Sequence, residues 1–163
     1  MDAPLKIASN DGEHVRFGKA LGTRRLLSGR ATAGAFGLVE HDLPPRQLGS
    51  PIHTHEREDE YSFVTSGRLT AQVGEAVVVA RAGELLVKPR GIAHAFWNEG
   101  QEPVRFLELI CPGGFEEYFF EMAGPFNARD LAAMATIRER YRLTIRIESI
   151  AELLGRYQLE PPF

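Results

Sequence analysis

The chain has 163 residues, 44% of them hydrophobic and 25% charged, with a formal net charge of −3. These values suit one soluble domain with a sizeable core and give no electrostatic reason to expect a nucleic-acid or membrane partner. The single cysteine, Cys111, excludes an internal disulfide and reads as a small packing residue.

Residues 1–22 read as an N-terminal extension. Its start, "MDAPLKIASNDGEH", lacks a basic end followed by an apolar run, so the expectation is a cytoplasmic chain without a signal peptide. No apolar run approaches the roughly 20 residues that cross a bilayer. From about Thr23 to Ile110 short strands alternate with turn residues, as in "TRRLLSG", "AFGLVEH", "YSFVTSG", "RLTAQVG", "EAVVVARAG", "ELLVKPRG" and "PVRFLELICPGG". Turn signals recur roughly every 8 to 12 residues, the spacing of an all-β sandwich or barrel. Connections this tight predict hairpins, because parallel strands need a crossover of about a dozen residues or more.

Two stretches inside this region carry chemistry. "HTHEREDE", residues 53–60, places two histidines and four carboxylates in eight positions. On a strand, His53 and His55 share a face, and two imidazoles a few ångströms apart make half of a metal site. Glu60 has the opposite parity, but a turn in "EREDE" can reset the face, and a hairpin would bring Glu60 beside the histidines. Asp59 is the alternative, reached by a one-residue register slip. The second stretch, "GELLVKPRGIAHAFWN", spans residues 83–98. Gly83 permits a turn with positive φ, and Pro89 with Gly91 makes another tight turn. His94 stands just beyond it, its backbone direction set in advance, with Asn98 four residues later. His14 and His41 belong to neither stretch and read as structural or surface residues. Ser28 and Ser66 have no triad context, and no phosphate or dinucleotide loop is present.

After Pro112 the period changes. Phe115, Tyr118, Phe119 and Met122 fall at i, i+3, i+4 and i+7, which predicts an amphipathic helix with an aromatic face. That face suits core, lid or interface. A second helix follows in "PFNARDLAAMATIRERY", with Asn127 as N-cap, and a third begins at a capping box of Ser149 and Glu152. "RLTIRI" between them suits either strand or helix. Arg138, Arg142 and Arg146, spaced i, i+4, i+8, read as a solvated face among Glu139 and Glu148. The expected organisation is a β-barrel over 23–112 and a helical tail over 113–163 that packs on it.

The two chemical stretches resemble the paired motifs of the cupin superfamily. "HTHEREDEYSFVTSG" matches the first from His53 through Glu60 to Gly67. Its upstream glycine departs from the pattern, since Gly49 lies three residues before His53 where the family has five. The second motif is met at every fixed position by Gly83, Pro89, Gly91, His94 and Asn98. The resemblance covers roughly residues 20–110. It implies an all-β jelly-roll barrel, the cupin double-stranded β-helix, in which His53, His55, Glu60 and His94 bind one divalent transition metal. Iron, manganese, nickel, cobalt, copper and zinc all suit such ligands.

Three imidazoles and one carboxylate leave open positions on a metal, as catalytic sites do. "CPGGFEEYFFEMAGP" after the barrel resembles quercetinase-like bacterial cupins with a single cupin domain. That resemblance implies a dioxygenase of the quercetin 2,3-dioxygenase type acting on a small aromatic or enol substrate, with Glu60 as proton acceptor and dioxygen as co-substrate. It also implies a homodimer. Two alternatives stand beside it: a metal-dependent isomerase or lyase acting on a small oxyacid or sugar, and a non-catalytic cupin that binds a small ligand.

Overall fold

The period-2 alternation of buried and exposed residues produces two facing antiparallel sheets, seen in a computed structural model that describes residues 6–163. Residues 1–5, the start of the expected extension and of the segment read for a signal peptide, lie outside the described residues. The strands are β1 (His14–Arg16), β2 (Gly22–Leu27), β3 (Gly37–Leu43), β4 (Gln47–His55), β5 (Asp59–Ser66), β6 (Arg68–Val73), β7 (Ala76–Arg81), β8 (Leu85–Lys88), β9 (His94–Asn98), β10 (Val104–Cys111) and β11 (Leu143–Ile145). One sheet has the order β1-β2-β3-β10-β5-β8 and the other β11-β4-β9-β6-β7. The all-β jelly-roll expected from the sequence is the fold observed.

The hairpin expectation holds for β6 and β7, which pair directly, but fails at the chemical stretch. β4 and β5 lie in different sheets, so residues 56–58 carry the chain across the barrel instead of folding it back. Glu60 therefore faces the histidines from the opposite sheet. The reason is pairing: β5 is held between β10 and β8, while β4 is held by β9 and β11.

Three helices follow: α1 (Glu116–Ala128), α2 (Leu131–Arg140) and α3 (Ser149–Tyr157). α1 runs past Pro125, and Arg129, at φ 57°, closes it. Asn127 is consequently not the cap of α2; that cap is Asp130, whose side chain accepts from the Ala133 N–H at 3.0 Å. Asn127 instead accepts from the Gly18 N–H and donates to the Arg16 carbonyl, tying α1 to the turn after β1. The expected capping box at Ser149 is also absent. Ser149 is buried, its hydroxyl accepting from the Ile52 N–H at 2.9 Å and donating to the Arg146 carbonyl, so it fastens α3 to β4. "RLTIRI" resolves as β11, which places Leu143 opposite His55 and Ile145 opposite His53. No continuous arginine stripe forms, because α2 ends before Arg142. No helix among the described residues is long and apolar enough to cross a membrane.

Leu43, Val64, Leu69, Phe96 and Phe106 fill the space between the sheets. The aromatic face of α1 closes one end: Phe115, Tyr118 and Met122 pack with Ile110, Ile137 and Leu143. α3 covers the outside of the second sheet, where Leu153 meets Ile52 and Trp97, and Tyr157 packs on the Trp97 ring at 4.3 Å between centroids.

Gly49 is a mid-strand residue of β4, at a break in the register with β9. A Cβ there would run into the Phe96 ring. That ring cannot easily yield, because Phe106 packs edge-on at 5.5 Å and the Lys88 ammonium sits 5.0 Å from its centroid. Gly49→Ala should destabilise the fold by about 1–3 kcal/mol, the usual cost of overpacking a filled core. Phe96→Leu in the same chain should recover part of the loss in chemical denaturation. A Gly49→Ala variant as stable as the parent would refute this packing argument.

Candidate metal centre

β4 turns His53 and His55 toward the barrel interior, and β9 sets His94 directly across from His53. Glu60 enters from β5 on the facing sheet. All four side chains are buried, and one ligand-capable atom from each lies within 4.8 Å of the others. Glu60 Oε1 is 3.5 Å from His55 Nε2, and Glu60 Oε2 is 3.3 Å from His94 Nε2. With metal–ligand bonds of about 2.0–2.2 Å, neighbouring donors in octahedral or tetrahedral coordination stand roughly 2.8–3.6 Å apart. The cluster therefore has the dimensions of a coordination shell.

Hydrogen bonding orients two of the rings. His53 Nδ1 lies 2.9 Å from the Pro51 carbonyl, and His94 Nδ1 lies 2.9 Å from the Ile92 carbonyl. A carbonyl can only accept, so each Nδ1 carries a hydrogen and each Nε2 is the nitrogen left to face the cluster. His94 Nε2 and both nitrogens of His55 have no hydrogen-bond partner among the described residues although they are buried. Leaving such groups unsatisfied costs free energy, and a cation at the centre would satisfy those that face it. Burial, reinforced by His94 and His55, holds His53 well below the usual imidazole range, in the neutral form that ligates metals. The residues present thus fit a divalent transition metal.

The turn of the second motif is tied to this cluster. Gly91, at φ 74°, donates its N–H to the His55 carbonyl at 2.8 Å. Asn98 braces the other end of β9: its Nδ2 donates to the carbonyls of Leu43, Pro44 and Glu102, and its Oδ1 accepts from the Gly100 N–H. Asp59 points away from the cluster. It pairs with Arg90, whose hydrogen bonds lower its carboxyl to about 2.

Behind Glu60 lies a group that the sequence motifs do not mark. Lys88 is 1% exposed, and its Nζ is 2.9 Å from Glu60 Oε2 and 2.8 Å from Glu108 Oε2. Ser62 donates to Glu108 as well. Strand register explains the grouping, since Lys88 faces Glu60 across β8–β5 and Glu108 faces Ser62 across β10–β5. Burial alone would push Glu60 up, but Lys88, His55 and His94 overcome it and hold the carboxyl well below its usual range. Burial would likewise lower Lys88, and the two carboxylates reverse that. Glu108 is pushed up to about 7 by burial, against the attraction of Lys88. One cation cannot compensate two buried carboxylates, so one of them takes the raised value. The signal available in the sequence was parity: Lys88 lies two residues after the inward Leu86 and shares its face.

The cluster opens on a cavity of about 180 Å³. Its walls are mostly apolar, including Phe17, Leu48, Phe96, Phe115, Phe119 and Met122. The α1 aromatics are thus both core and cavity wall, and Phe115 packs against the His55 ring at 4.3 Å. His41 also lines the cavity, buried and hydrogen-bonded to the Thr23 hydroxyl at 3.0 Å, whereas His14 is exposed on β1. Arg138 reaches the same cavity.

Comparison with known proteins agrees with this geometry. Residues 39–110 match the cupin domain family. No curated protein matches the chain. Among solved structures, a predicted oxalate decarboxylase from Thermotoga maritima is 22% identical, with a TM-score of 0.61 over 66% of this chain and 99% of its own. A sugar phosphate isomerase from the cupin superfamily of Silicibacter pomeroyi is 27% identical, with a TM-score of 0.51 over 58% of this chain and 60% of its own. An oxalate decarboxylase from Lactobacillus farciminis, in complex with formate, is 20% identical, with a TM-score of 0.59 over 70% of this chain and 35% of its own. The shared feature is a double-stranded β-helix with one cupin domain in this chain. Residues 39–110 form a cupin domain.

His41 generates a prediction. Burial, with a contribution from Lys88, lowers it from 6.5 to about 4, so the folded state keeps it neutral while the unfolded chain protonates it. Its stabilising contribution is complete above pH 6.5 and is lost as pH falls toward 4. The difference is worth about 3 kcal/mol. Denaturant midpoints of metal-free protein and of His41→Gln should therefore converge as pH falls from 7 to 4. Parallel profiles would show that His41 is not held neutral.

Proposed function

We propose that this cupin is a metal-dependent oxygenase with chemistry of the quercetin 2,3-dioxygenase type, acting on an aromatic or enol substrate smaller than a flavonol. The observation that carries this reading is the join between the four-residue cluster and the apolar cavity. A divalent transition ion held by His53, His55, His94 and Glu60 would supply Lewis acidity and open positions for a substrate oxygen and dioxygen.

The residues around it do the rest. Phe17, Phe96, Phe115 and Phe119 would hold a flat ring and exclude water from it. An apolar cavity of about 150 Å³ accepts benzene; one of about 180 Å³ suits a single ring with short substituents. Glu60 is the proton acceptor in this proposal. Lys88 keeps it anionic and ready to take the proton of a substrate hydroxyl within hydrogen-bonding reach, although the same ammonium makes it a weak base.

Arg138 favours a second reading. It alone among the described cavity-lining residues carries a guanidinium, which could pair with the carboxylate of a small oxyacid. A metal-dependent lyase or isomerase would use it, in line with the decarboxylase and isomerase activities named for the structural neighbours.

Oxygen dependence separates the two. Protein loaded in turn with each first-row divalent metal should consume oxygen with one-ring catechols or enediols while their absorbance disappears, and His94→Ala should lose both signals. Quercetin should react more slowly than the one-ring compounds. Turnover of an oxyacid that persists without oxygen and weakens in Arg138→Gln would favour the second reading. Absence of oxygen uptake with every metal and substrate would remove the first.

A further inference from the structure

The ends of a sheet expose unpaired backbone groups, and three of the four edges here are blunted. β1 and β11 have three residues each, and β8 has four, one of them the inward-facing Lys88. β7 is different. It runs six residues, Ala-Val-Val-Val-Ala-Arg, pairs with β6 on one side, and has no strand on the other among the described residues. It carries no proline, lysine or bulge, and Val77, Val78 and Val79 are all exposed.

Strand parity identifies the free backbone groups. The two-residue turn Gly74-Glu75 joins β6 to β7 and makes Val73 and Ala76 the first hydrogen-bonded pair. Ala76, Val78 and Ala80 then bond to β6, while Val77, Val79 and Arg81 aim their N–H and C=O groups outward. Arg81 agrees with this phase: its N–H donates to the Glu84 carboxylate at 2.7 Å, and its carbonyl accepts from the Glu84 N–H at 2.9 Å. The outward groups of Val77 and Val79 have no such partner among the described residues.

We infer that this edge joins the same edge of a second copy of the chain, antiparallel about a two-fold axis at Val78. Val77 then faces the partner's Val79, and each of the two such pairs exchanges two hydrogen bonds. Glu75 faces the partner's Arg81 at both ends, because the two positions are equidistant from Val78. Charge selects this register. Moving the axis to Val77 or Val79 sets each charge against a valine or a glycine instead. Glu75 and Arg81 are exposed, and neither is in an ion pair among the described residues. Arg81 also faces Arg68 across β6 and β7, a like-charge pair that the partner's Glu75 offsets. The pairing uses up both edges, so association closes at a dimer with one continuous sheet across the axis. No residue of β7 lines the cavity, which therefore lies outside the contact.

The test follows association of the intact chain by sedimentation velocity. Interfaces this narrow are weak, so protein concentration is varied from micromolar to millimolar, over which wild type should pass from monomer to dimer. Glu75→Arg and Arg81→Glu each set like charges opposite one another at both ends, and each should raise the dimer dissociation constant about tenfold. Combining Glu75→Arg with Arg81→Glu restores both pairs and should return the constant to within about threefold of wild type. Amide hydrogen exchange locates the contact without any variant, and so decides the matter if a variant fails to fold. Exchange at Val77 and Val79 should slow as wild-type concentration rises, whereas Val78, already bonded to β6, should stay slow throughout. Wild-type protein that remains monomeric at millimolar concentration overturns the inference. A dimer indifferent to both single reversals, or one whose Val77 and Val79 amides exchange as in the monomer, overturns it too by placing the interface elsewhere.

Discussion

Imidazoles on one sheet and a carboxylate on the other, meeting inside the barrel, form the constraint around which it is organised. Neither sheet can turn its polar residues outward without breaking the alternation that buries Leu43, Val64, Leu69 and Phe106. The polar groups must therefore be satisfied inside. The described residues do this only in part, because among them His94 Nε2 and the His55 nitrogens find no hydrogen-bond donor or acceptor. A fold that leaves such groups facing one another is suited to a cation, and three imidazoles with one carboxylate match the donor chemistry of a divalent ion.

The surroundings divide the labour. Backbone carbonyls of Pro51 and Ile92 fix two rings, and the Lys88–Glu108–Ser62 group fixes the orientation of Glu60. A buried ion pair of this sort is a poor source of stability, since its desolvation offsets most of its attraction. On the open side the environment changes abruptly to aromatic and aliphatic walls. That contrast sets polar support behind the cluster and apolar walls in front of it.

Much of this was legible in the sequence because strand parity and tight turns are local properties. The equal parity of His53 and His55, and the turn built on Pro89 and Gly91, set three imidazole directions within short segments. What could not be read was which sheet each strand would join. The segment after His55 looked like the bend of a hairpin, yet it crosses the barrel, because the partners of β5 are β10 and β8, and β10 lies more than forty residues downstream. The meeting of Lys88 and Glu108 was hidden for the same reason: parity marks Lys88 as inward, but only the register of three strands makes the two neighbours. The helix ends misled through competition. Ser149 and Asn127 have the chemistry of caps, but tertiary partners on β4 and beside β1 claimed them.

The most direct test of the central claim is anomalous diffraction from crystals soaked in a transition-metal salt, recorded on both sides of that metal's absorption edge. The account predicts one strong peak inside the barrel, about 2.0–2.2 Å from the Nε2 atoms of His53, His55 and His94 and from a single oxygen of Glu60. Peaks confined to the surface, or an interior peak that engages fewer than three of these side chains, would contradict it.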